Sequence, residues 1–117
     1  MNEPGSISQP PVPKPRKGIL FVISAPSGAG KTSICRAVLS LFPMLRPSVS
    51  YTTRGMRHGE REGRDYHFVS REKFDQMVAD CAFAEWAEVH GNCYGTALAT
   101  LDQASEEGAN VLLEIDF

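Results

Sequence analysis

The chain has 117 residues, enough for one domain or part of one, and its 42% hydrophobic content can supply a core. A formal net charge of −2 and an isoelectric point near 5.9 argue against a nucleic-acid partner held by bulk charge. No apolar run approaches the roughly 20 residues that span a bilayer, and the N-terminus lacks the apolar centre of a signal peptide. Cys35, Cys81 and Cys93 are odd in number and have no metal-ligand spacing, so they read as reduced thiols of a cytoplasmic protein.

Residues 1–17 include Gln9-Pro10-Pro11-Val12-Pro13-Lys14-Pro15-Arg16-Lys17, a composition that cannot bury itself and reads as a disordered, proline-rich leader. Folded sequence is expected from Gly18. The apolar run of residues 19–24 predicts a strand, and a helix is predicted over 31–42, stopped before Pro43. Between them lies Ala25-Pro26-Ser27-Gly28-Ala29-Gly30-Lys31-Thr32-Ser33. Strand, glycine-rich turn, lysine, hydroxyl residue and helix is the order a phosphate-binding loop requires. Gly28 and Gly30 let backbone N–H groups turn inward onto an anion, and the helix adds the positive end of its dipole. Lys31 can reach terminal phosphates, and the Thr32 hydroxyl can ligate Mg²⁺. The first position of the loop is Ala25 where glycine is usual. A turn that binds nothing is the bland alternative.

Residues 48–54, Ser-Val-Ser-Tyr-Thr-Thr-Arg, predict an extended strand. A glycine- and charge-rich loop follows over 55–64, and strand character resumes over 65–69. Ser70 is the predicted N-cap of a helix over 71–79 with Phe74, Met77 and Val78 on one face. Residues 83–90 read as a strand, Gly91-Asn92 as a turn, and Thr96 as the cap of a helix over 97–107 ended by Gly108. The run 111–116 is apolar enough for a buried parallel strand. A helix is expected after such a strand to cover it. The sequence stops at Phe117, which reads as a truncated domain.

Arg54, Arg57, His58, Glu60, Arg61, Glu62, Arg64 and Asp65 concentrate charge in one loop. A solvated surface loop explains such a run. Arginine forks next to Tyr66, with Tyr94 further on, also suit a second phosphate apart from the glycine loop.

Taken together, the glycine loop, Ser48–Arg54, Gly63–Val69, Phe83–Ala87, Gly91–Thr96 and Leu113–Asp116 resemble the guanylate kinase family, in register over residues 18–117. The resemblance implies an α/β fold. Its core is an incomplete parallel sheet of the phosphate-loop NTPase type (residues 18–47 and 97–117), with a small mixed β/α GMP-binding segment inserted at about 48–96. It implies transfer of the terminal phosphate of ATP to GMP, with Mg²⁺ as cofactor. Residues 25–33 would hold ATP, and Lys31, Arg54 and Arg57 would be catalytic. Ser50, Arg54, Arg57, Tyr66 and Tyr94 would hold the GMP phosphate, Glu85 and Thr96 would read guanine, and Glu114 and Asp116 would approach the guanine or the metal. Lid and C-terminal arginines of the family lie beyond Phe117, so the chain alone is expected to be nearly inactive. Two other readings stay open. One is a non-catalytic guanylate-kinase-like module binding phosphorylated peptides, which the intact Lys31 and Thr32 disfavour. The other is a phosphate-loop kinase for another nucleotide.

Overall fold

The computed structural model describes residues 18–26 and 30–116, and Asp116 by its backbone. Among the described residues ten elements follow in order: β1 (Leu20–Ala25), α1 (Lys31–Leu41), β2 (Leu45–Pro47), β3 (Tyr51–Thr52), β4 (His67–Phe68), α2 (Arg71–Ala79), β5 (Phe83–Val89), β6 (Asn92–Ala97), α3 (Leu98–Glu106) and β7 (Asn110–Asp116). They form two sheets, ordered β1-β7-β2 and β4-β3-β6-β5.

The three-stranded sheet is parallel throughout. Leu20 lies opposite Val111 and Ala25 opposite Asp116, while Leu45 lies opposite Asn110. β7 is the central strand and buries Val111, Leu112 and Leu113, which accounts for its unbroken apolar run. The expected parallel pairing of this last strand is therefore present. α1 packs against all three strands, and α3 packs against β7 and β6. α3 ends as the sequence indicates. Gly108 takes φ +69°, its N–H donates to the Ser105 carbonyl, and the Ala109 N–H donates to the Ala104 carbonyl. That pair of bonds satisfies carbonyls the helix end would otherwise leave open.

The four-stranded sheet is mixed. β3 pairs in parallel with β4 and antiparallel with β6, and β5–β6 is an antiparallel hairpin. Its core is aromatic. Phe74 of α2 is fully buried, with its ring 4.6 Å from Phe83 and edge-on to Trp86 at 6.0 Å. Gly95 permits this packing, since a Cβ there would lie 2.8 Å from the Phe83 ring and 3.1 Å from the Trp86 Cβ. Ser70 caps α2 as expected, its Oγ accepting from the Lys73 N–H at 3.0 Å.

Four local expectations are corrected. The strand expected over 48–54 is confined to Tyr51–Thr52, because the preceding segment has already paired with β7 through Leu45–Pro47. That short strand β2 was not foreseen. Neither was β6 at Asn92–Ala97, which carries few of the residues that favour strands and is held by pairing on both sides. The hairpin turn is His90-Gly91, with φ of +52° and +81°, one residue before the expected Gly91-Asn92. Thr96 belongs to β6 and does not cap α3. The cap is Ala97, with no side-chain bond, and the Thr96 hydroxyl is directed elsewhere.

Candidate functional site

β1 delivers the chain to Pro26, and α1 opens at Lys31 behind Gly30, whose φ of +83° lies in the left-handed region. Lys31 is only 6% exposed, and its Nζ lies 3.2 Å from Glu114 Oε2 on β7. The Thr32 hydroxyl donates to the same oxygen at 3.4 Å. The first turn of α1 carries no acidic residue that would answer its helix dipole. Cys35, one turn further along, is buried. Burial and then a hydrogen bond with Glu114 push its thiol up to about 11.

The charged loop is a built structure. Thr52 Oγ1 donates to the Cys93 carbonyl at 2.9 Å and accepts from the Arg54 N–H at 3.1 Å, fixing where the loop leaves β3. Arg54, 8% exposed, forks onto Glu60 through Nη1–Oε1 at 3.0 Å and Nη2–Oε2 at 2.8 Å. Glu60 Oε1 also accepts the Arg57 backbone N–H at 2.8 Å. The Arg54 hydrogen bonds hold the Glu60 carboxyl down at about 2, and in return raise the already high pKa of Arg54. The Arg54 guanidinium lies 5.1 Å from the Tyr66 ring centroid, and Tyr66 lies 5.9 Å from Tyr94, ring to ring. Burial raises the Tyr66 phenol, against the opposing pull of Arg54.

These two groups share one cleft. A cavity of about 470 Å³ is lined by Lys31, Thr32 and Glu114 together with Arg54, Arg57, Tyr66 and Tyr94. Gly30 and Ser33 line it as well, as do His90 of the β5–β6 turn and Asn92 at the start of β6, neither of them a site residue expected from sequence. A second cavity of about 300 Å³ also touches Arg54, Arg57, Tyr66 and Glu114 and adds Ser50. Glu85 and Thr96 lie opposite each other on β5 and β6, and the Thr96 hydroxyl donates to Glu85 Oε2 at 2.6 Å. Neither residue lines either cavity. Ala25 ends β1 and Pro26 is exposed, while Ser27, Gly28, Ala29 and the Asp116 side chain lie outside the described residues. Glu60 is the clearest omission from the sequence-level site. Its spacing of six after Arg54 and three after Arg57 was visible, but not its direction.

Fold and cleft define an α/β domain in which a lysine at a helix N-terminus lines one cavity with two arginines and two tyrosines. A family model described as guanylate kinase matches residues 17–117, and the chain belongs to that family. It is 67% identical over 101 residues to a guanylate kinase of Syntrophotalea carbinolica, covering 86% of this chain and 48% of that protein. It is 55% identical over 101 residues to a guanylate kinase of Geobacter sulfurreducens, covering 86% and 50%. The fold is similar to the crystal structure of guanylate kinase from Anaplasma phagocytophilum, with a TM-score of 0.70, 37% identity, and coverage of 86% of this chain and 49% of that one. The chain spans about half the length of the curated relatives it matches.

Proposed function

We propose that the whole protein transfers the terminal phosphoryl group of ATP to GMP, giving ADP and GDP. The observation that carries this reading is the shared cavity, lined by Lys31 and Thr32 together with Arg54, Arg57, Tyr66 and Tyr94. Two phosphate-binding groups lining one space suit in-line transfer between two phosphates, where catalysis is positioning and charge neutralisation. In this reading the segment 25–33, with Lys31 at its core, holds the donor phosphates. Ser50, Arg54, Arg57, Tyr66 and Tyr94 hold the acceptor phosphate, and Lys31, Arg54 and Arg57 spread the charge that develops during transfer. No strong general base is needed, because the acceptor oxygen already belongs to an anion. The intact Lys31 and Thr32 favour this reading over a non-catalytic phosphopeptide-binding module.

The hydroxyl of Thr32 and the carboxylate of Glu114, 3.4 Å apart, are hard oxygen donors of the type that suits Mg²⁺ already bound to phosphates. When bound there, the ion would neutralise charge on the donor phosphates. The contacts of Glu114 with Lys31 and Thr32 favour the metal side of the site over the guanine side for this residue.

Guanine selection is assigned to Glu85 and Thr96. Guanine presents N1–H and N2–H₂ side by side to a carboxylate, whereas adenine has an acceptor at N1 and no 2-amino group. A buried polar group left unpaired by the wrong base can discriminate by roughly 10⁴ to 10⁵. Because Glu85 and Thr96 stand outside the two cavities, the four-stranded sheet (within the segment 48–96) would move toward the core sheet as both nucleotides bind. A cytoplasmic location fits this substrate pair. Among the described residues, no helix is long and apolar enough to cross a membrane.

The test is a calorimetric or NMR titration of the protein with GMP and, separately, AMP. Binding of GMP with at least about a hundredfold preference over AMP is expected, falling to near parity in Glu85→Gln. Equal response to both nucleotides in the unaltered protein would refute the assignment.

A further inference from the structure

Ser48 carries a hydroxyl oxygen that is shut off from solvent and makes no hydrogen bond among the described residues. Such atoms are rare in folded proteins, since an enclosed polar group without a partner is destabilising, and each one asks what it is kept for. The residue is held firmly, because its backbone N–H donates to the Leu112 carbonyl of the central strand β7 at 2.9 Å. Ser48 and Ser50 are alternate residues of the segment joining β2 to β3. Both line the 300 Å³ cavity, and Val49 between them does not.

The charge around this cavity indicates what it would accept. Its carboxylates are already engaged: Glu60 by Arg54, Asp65 by Arg64 and Glu114 by Lys31. Arg36 and Arg57 line it too, and neither makes an ion pair among the described residues. A cavity lined by two guanidinium groups outside any ion pair among the described residues, by Ser50 and by Ser48 suits a small anion rich in acceptor oxygens.

We propose that Ser48 is a further binding residue for the acceptor phosphate, its side chain turning about the Cα–Cβ bond into the cavity so that the hydroxyl donates to a phosphoryl oxygen of the nucleoside monophosphate beside Ser50. This rests on the reading of GMP as the acceptor. In this reading the hydroxyl, unpaired among the described residues, gains its partner from the ligand, so removing it affects the two states in opposite directions.

Ser48→Ala tests this directly. Calorimetric titrations with GMP and with guanosine, together with a ligand-free thermal melt, are run on the variant and the unaltered protein. GMP affinity is expected to fall roughly tenfold, guanosine affinity to stay unchanged, and the ligand-free midpoint to hold or rise as a buried unpaired hydroxyl is removed. GMP affinity within about twofold of the unaltered protein would overturn the proposal, and would point to a hydroxyl serving only a buried water. A lowered ligand-free midpoint, or equal losses for GMP and guanosine, would also overturn it by assigning Ser48 a structural role. If the unaltered protein shows no preference for GMP over AMP, the acceptor reading itself fails, and this proposal with it.

Discussion

Arg54 and Glu60 are joined by two N–H···O bonds, at 3.0 and 2.8 Å, and the same carboxylate takes the Arg57 backbone N–H at 2.8 Å. One acidic side chain therefore sets the position of both arginines expected to meet the acceptor phosphate. Its carboxyl is held at about 2, below the ordinary glutamate value of 4.5. A depressed folded-state value means the pair's stabilisation is fully present above the unfolded value and is lost as pH falls from 4.5 toward 2. Glu60→Gln is expected to lower stability by about 1–3 kcal/mol at neutral pH and to flatten the acid limb in that window. Urea-unfolding midpoints measured across the range check this. An unchanged acid limb would show that the pair contributes nothing.

Lys31 and Glu114 form the second coupled pair, 3.2 Å apart, with the lysine almost wholly buried. Removing the lysine leaves the partly exposed Glu114 carboxylate without this cation, which costs more than removing both. Lys31→Ala is expected to weaken nucleoside triphosphate binding by at least about tenfold and to lower stability by about 1–3 kcal/mol. Adding Glu114→Gln to Lys31→Ala is expected to recover part of the stability and none of the binding. A double-mutant cycle scored by urea melts and triphosphate titration separates the two effects.

Thr96 donates to Glu85 across the β5–β6 hairpin at 2.6 Å and is itself buried. Thr96→Val keeps the shape and removes the donor. GMP affinity is expected to fall about three- to tenfold, with AMP binding unchanged, because the carboxylate loses the bond that aims it. Parallel titrations with the two nucleotides decide it, and an unchanged GMP affinity would remove Thr96 from the recognition site.

The cysteines allow a check independent of any ligand. Cys81 is exposed, whereas Cys35 and Cys93 are buried and the Cys35 thiol is pushed up to about 11. The thiolate is the reactive form, so an aromatic disulfide reagent near pH 8 is expected to modify Cys81 quickly and the other two only on unfolding. Rapid reaction at Cys35 would contradict the packing of α1 on β7.

What could be read from sequence followed from local chemistry. β1, α1, the Ser70-capped α2 and the buried run of β7 each carry their signal within a few residues. β6 does not. Its Asn92-Cys93-Tyr94-Gly95-Thr96-Ala97 is extended because β3 and β5 flank it, and Gly95 is needed by the ring of Phe83 and the Cβ of Trp86, both on the neighbouring strand β5. β2 includes a proline, tolerated because the strand lies at the sheet edge. Among the site residues, Lys31, Thr32, Arg54, Arg57, Tyr66 and Tyr94 were visible by type and spacing, and they meet in one cavity. The roles of Glu60 and Ser48 depend on where a side chain turns and on what is missing around it. No linear pattern records either.

β7 ties these parts together. Its Leu112 carbonyl anchors Ser48, and two residues on its Glu114 meets Lys31 and Thr32. Because alternate residues of a strand share a face, one added or deleted residue between positions 111 and 112 would move Glu114 to the opposite side and shift the anchor of Ser48 at the same stroke. The chain's tolerance of length variation is therefore uneven. The Arg57–Glu60 turn, closed by bonds in both directions, and the short stretch of β7 are the parts with no slack.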